Sequence, residues 1–143
     1  MDAEDLKKRT KSFSLRVLKL VADLPKTAQG RAIGGQLVRS GTSVGANYRA
    51  ACRGRSRAEF VAKLGVVEEE ADESAFWMEL IIDGGLLKQK VVEPLLNEAQ
   101  ELVAIMAKSR ISASSSFGRS KSAIGNRQSE MTSNRQLAIG NRK

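Results

Sequence analysis

Between residues 60 and 81, apolar or small side chains recur at alternating steps of four and three: Phe60, Leu64, Val67, Ala71, Ser74, Met78 and Ile81. This near-heptad rhythm belongs to a helix that lays one seam against neighbouring helices. A second row, Ala75, Trp77 and Ile82, widens the apolar face toward the C-terminal end. Ser56 and Glu59 form the pattern of a capping box at the start, and Gly84-Gly85 supplies a left-handed stop, so the spacing predicts a helix over residues 56–83.

Three more stripes follow the same logic. Leu6, Phe13, Val17, Leu20 and Leu24 predict a helix over 6–24, ended by Pro25. Ile33, Leu37, Gly41, Val44, Tyr48 and Ala51 predict a second over 26–53. Val92, Leu95, Ala99, Leu102 and Met106 predict a fourth over 91–108, with Pro94 in its first turn. The second helix is rich in glycine, each costing roughly 1 kcal/mol in a helix interior. Ser40-Gly41-Thr42-Ser43 could therefore mark a kink. Gly30/Gly34 and Gly41/Gly45, each four apart, instead favour close approach of a neighbouring helix. Short connections around Pro25, Gly54 and Gly84 make successive helices antiparallel neighbours. The expected fold is all-α: an antiparallel four-helix bundle over residues 1–110 with a disordered basic tail over 111–143. That tail is rich in Ser, Asn, Arg and Gly and repeats Ala-Ile-Gly-Asn-Arg at 123–127 and 138–142.

Composition removes most enzyme classes. The chain has no histidine, which excludes His-based acid–base catalysis, Ser–His hydrolysis and Glu-x-x-His di-iron sites. Gly41-Thr42-Ser43-Val44-Gly45 lacks the Gly-Lys-Ser/Thr ending of a phosphate-binding loop. Cys52 is the only cysteine, so no intrachain disulfide forms, and it reads as a small core residue. Glu68, Glu69, Glu70, Asp72 and Glu73 could hold a hard cation, but such a run ordinarily faces solvent or pairs with basic residues elsewhere. No catalytic residue, cofactor or metal is expected. Nor is a secretory leader or membrane span, and the chain reads as cytoplasmic.

The formal charge is +8. Residues 1–110 hold 18 basic and 15 acidic side chains, residues 111–143 six and one. Lys7, Lys8, Arg9, Lys11, Arg16 and Lys19 load the first helix, and Arg49, Arg53, Arg55 and Arg57 cluster where the second helix meets the third. Arginines clasp phosphates bidentately. No aromatic platform accompanies them, so contact with a nucleic-acid backbone is what the pattern supports, with Arg49, Arg53, Arg55 and Arg57 as the nucleic-acid-binding residues. A solvated basic surface is the alternative reading. Phe76, Trp77 and Ile82 flank the third helix's seam, and such surplus apolar surface predicts a homo-oligomer.

Gln36-Leu37-Val38-Arg39-Ser40, then Ser43-Val44-Gly45-Ala46-Asn47 and Arg53-Gly54-Arg55-Ser56-Arg57-Ala58-Glu59-Phe60, carry a family likeness. Over roughly residues 10–108 the chain resembles the small bacterial four-helix-bundle proteins encoded in intervening sequences of large-subunit ribosomal RNA genes. These are related to the accessory variability determinant of diversity-generating retroelements. The resemblance implies a ring of five subunits. For the retroelement relatives it also implies a basic surface that helps a reverse transcriptase engage RNA or DNA. Two features depart from the pattern. The family commonly shows Asn-x-x-Glu-Gly where this chain has Asn47-Tyr48-Arg49-Ala50-Ala51-Cys52, so the acidic residue is lost, and the segment after Arg110 has no counterpart.

Overall fold

The computed structural model describes residues 1–124, with side chains to residue 115. Four helices follow one another: α1 Ala3–Ala22, α2 Ala28–Cys52, α3 Arg57–Asp83 and α4 Gln89–Ile124. They run up, down, up, down. Extensive seams join α1 to α2, α2 to α3 and α3 to α4, while α1 and α4 touch only lightly. All five α1 stripe residues are buried, as are Leu37, Val44, Tyr48 and Ala51 of α2, Leu64 to Ile81 of the α3 heptad series, and all five of α4.

Local chemistry sets the helix ends. Asp2 and Asp5 form a reciprocal capping box at α1. Thr27 caps α2 by accepting from the Gly30 N–H at 3.0 Å, and Ser56 caps α3 by accepting from the Glu59 N–H at 3.1 Å. At the end of α3, Gly85 takes φ of 69°. The Leu86 and Gly85 N–H groups then reach the Ile81 and Ile82 carbonyls, the paired bonds of a Schellman turn.

The glycines of α2 serve packing, and α2 runs unbroken through residues 40–43. A Cβ on Gly41 would lie 2.7 Å from Val17 Cγ2, and one on Gly45 would lie 2.8 Å from Ser14 Oγ. The Ser14 hydroxyl donates to the Gly41 carbonyl at 2.8 Å, fixing the register of α1 on α2. Across the next seam the buried hydroxyls of Ser40 and Ser74 meet at 2.9 Å.

The fourth helix departs from expectation at both ends. It starts at Gln89, so Pro94 falls in its second turn rather than its first. The N–H that Pro94 lacks would have reached Lys90, an exposed position whose carbonyl water can satisfy. It also continues past residue 108 to Ile124, so residues 111–124 are helical rather than tail. No proline or glycine interrupts 109–117, and buried Ala113 extends the stripe by seven residues from Met106. The expected disorder of residues 125–143 lies outside the described residues.

Candidate nucleic-acid interface

The close α1–α2 approach brings the N-terminal half of α1 beside the C-terminal half of α2. Between them runs a groove of about 400 Å³, with Lys7, Lys8 and Lys11 from α1 and Thr42 and Arg49 from α2 along it. Small residues, Gly45 and Ala46, also line it. A second hollow of about 460 Å³ lies at the same end of the bundle, lined by Ala3, Cys52, Arg55, Arg57 and Phe60. Arg53 is the C-cap of α2, next in the chain to Cys52 of this hollow. The four arginines singled out in the sequence are thus all exposed and gathered at one end. Cys52 proves to be half-buried, packed against the core from the rim of this hollow.

Among the described residues, most of these cations have no carboxylate partner. Among the described residues, Arg49, Arg53, Arg55 and Arg57 form no ion pair, and Lys7 alone of the α1 lysines does, with Glu4 at 2.8 Å. The Glu4 carboxylate raises the Lys7 ammonium above the usual lysine value, and nearby Arg53 opposes that shift. Arginines elsewhere are engaged. Arg9 donates to Glu98 at 2.7 and 2.8 Å and to Glu101 at 2.9 Å, closing the α1–α4 side. These bonds, Glu98 first, hold its guanidinium charged. Arg110 donates to Glu68 at 2.9 Å, and Arg39 binds Glu70 and Glu73. The acidic run on α3 is therefore partly a partner for basic residues on other helices. Among the described residues no three potential ligands converge on a metal position.

The contribution of α1 was not legible as part of the site. Lys7, Lys8 and Lys11 are evident in the sequence, but only the Gly45–Ser14 approach sets them beside Arg49. One signal could have led there: from Leu24 to Ala58 the chain has seven basic residues and no carboxylate.

Glu73 offers a spectroscopic handle. Trp77, the only tryptophan, donates its Nε1–H to Glu73 at 3.0 Å. This bond first, then Arg39, holds the Glu73 carboxyl below the ordinary value of 4.5. A depressed folded-state value gives a contribution fully present above the unfolded value and lost as pH falls through the folded one. Trp77 emission should therefore titrate with a midpoint below pH 4.5, and Arg39→Met should move that midpoint up. A parent midpoint at or above 4.5 would contradict the hydrogen-bond assignment.

Residues 4–108 match the model of a family described as 23S rRNA-intervening sequence protein. The chain is also similar to a crystal structure of a protein of unknown function from the S23 ribosomal protein family of Bacteroides thetaiotaomicron. The two share 30% identity with a TM-score of 0.69, over 73% of this chain and 97% of that one. No curated protein matches the chain. None of the helices is long and apolar enough among the described residues to cross a membrane.

Proposed function

The chain belongs to the 23S rRNA-intervening sequence protein family, and from that premise we propose that it is a non-enzymatic, homo-oligomeric bundle that binds RNA through phosphate-backbone contacts. One observation carries this reading: Arg49, Arg53, Arg55 and Arg57 are gathered, exposed, at one end of the bundle without a carboxylate partner among the described residues. Exposed cations close together repel one another unless an anion lies between them. A polyphosphate backbone satisfies such a surface, because each neutralised phosphate releases condensed counterions. The groove carries no aromatic side chain, and the second hollow offers only Phe60, half-buried and packed against the core, so affinity should be nearly indifferent to base sequence. The C-terminus of α4 points to this same end, and the chain after Arg110 holds six basic residues against one acidic.

The test is a salt titration of binding to a labelled RNA, repeated with RNA of scrambled sequence. Binding should weaken linearly in log–log form, with a slope of about −0.7 per contacted phosphate of a single strand. Scrambling should leave it unchanged. Absence of binding at low salt would favour a second reading, a protein assembly module, which the exposed Leu15, Leu18, Phe76 and Leu80 support.

A further inference from the structure

Seven large apolar side chains stand exposed among the described residues, and four of them occupy two faces of the bundle. Leu15 and Leu18, 55% and 45% exposed, lie on the outer side of α1. Phe76 and Leu80, 49% and 37% exposed, lie on the outer side of α3. Helices α1 and α3 are diagonal in the bundle and share no seam, so these faces look in opposite directions. They also differ in charge. Exposed Lys8, Lys11 and Lys19 flank the leucines, whereas exposed Glu69, Asp72, Glu79 and Asp83 flank Phe76 and Leu80. None of these seven charged groups forms an ion pair among the described residues.

We infer that the α1 face of one copy docks on the α3 face of the next, head to tail. This rests on the homo-oligomer reading and assigns the surfaces that make it. The two faces match in spacing as well as charge: Lys8, Lys11, Leu15 and Ala22 repeat the intervals of Glu69, Asp72, Phe76 and Asp83. Copies related by a rotation axis that runs along the bundle keep α1 and α3 parallel, because the two helices already run the same way within one bundle. Parallel alignment sets Lys8 beside Glu69, Lys11 beside Asp72 and Leu15 against Phe76, with Leu18 and Leu80 filling the next turn. Lys19 then falls between Glu79 and Asp83. Each face would repel its own kind, so a two-fold dimer through either is disfavoured. A heterologous contact of this type joins copies head to tail, into a ring where the rotation between neighbours closes and into an open filament where it does not. Lys8 and Lys11 then face the neighbour's carboxylates, leaving the four arginines to the nucleic acid.

The test uses full chains and light scattering at micromolar concentration, with circular dichroism confirming equal helix content. Lys8→Glu/Lys11→Glu makes both faces acidic, and Glu69→Lys/Asp72→Lys makes both basic, so each variant should fall to the mass of one chain. The chain carrying all four substitutions reverses both faces and should regain the parent's mass. Mixing the two single-face variants should give assemblies larger than one chain in which the variants alternate, even in subunit number if they close. An oligomeric parent whose single-face variants keep its mass would overturn this assignment while leaving the homo-oligomer reading intact. A monomeric parent would overturn both and give the faces to a different protein.

Discussion

Replacing Arg49, Arg53, Arg55 and Arg57 together by Ala should lower RNA affinity by about a thousandfold at low salt. The estimate takes about 1 kcal/mol for each exposed charge-assisted contact, below the range for buried ones, and sums four. The salt dependence gives a second, independent reading: four lost phosphate contacts should flatten the log–log slope by about three. The C-terminal segment is common to both proteins, so its own cations cancel from the slope difference. Stability should change little, since all four side chains are exposed and unpaired among the described residues. Equal slopes for parent and variant, with helix content preserved, would place the contact elsewhere on the chain.

The second large effect concerns the α1–α2 seam. Gly41→Leu should destabilise the bundle by about 3 kcal/mol or more, because its side chain must enter space that Val17 fills. Val17 is fully buried and β-branched, so it has no alternative rotamer to retreat into. The backbones would have to separate, breaking the 2.8 Å bond from Ser14 to the Gly41 carbonyl. At roughly 3 °C per kcal/mol for a chain of this length, the thermal midpoint should fall by about 10 °C. Gly35→Ala is the internal control. A Cβ there meets nothing within 4 Å, so the substitution should stabilise by about 0.5–1 kcal/mol through helix propensity alone. Equal effects from both would mean that α2 does not approach α1 this closely.

The same seam explains why part of the site could not be read from the chain. Arg49 to Arg57 are neighbours in sequence and share one turn, so their proximity needs no tertiary information. Lys11 and Arg49 are far apart in sequence and meet only because Gly45 lets α1 come close. The fates of the arginines were equally hidden. Arg9, Arg39 and Arg110 resemble Arg49 in any local window, yet the fold supplies the first three with carboxylates from other helices. Phe76 was legible as surplus apolar surface, but its matching partner face on α1 emerges only when Leu15 and Leu18 are placed off the core stripe.

The sequence by itself determined the helices, their apolar faces and their antiparallel order. These follow from periodicity, caps and short turns, all of which act within a few residues along the chain. Its largest misplacement was the end of α4, where a serine-rich stretch reads as weakly helical until Ala113 is buried and Arg110 is tied to Glu68. Tertiary structure alone decided which charges remain unneutralised and which surfaces stay uncovered. Both depend on residues brought together from different helices, and charge pairing falls off within a few ångströms, a distance that sequence separation does not measure.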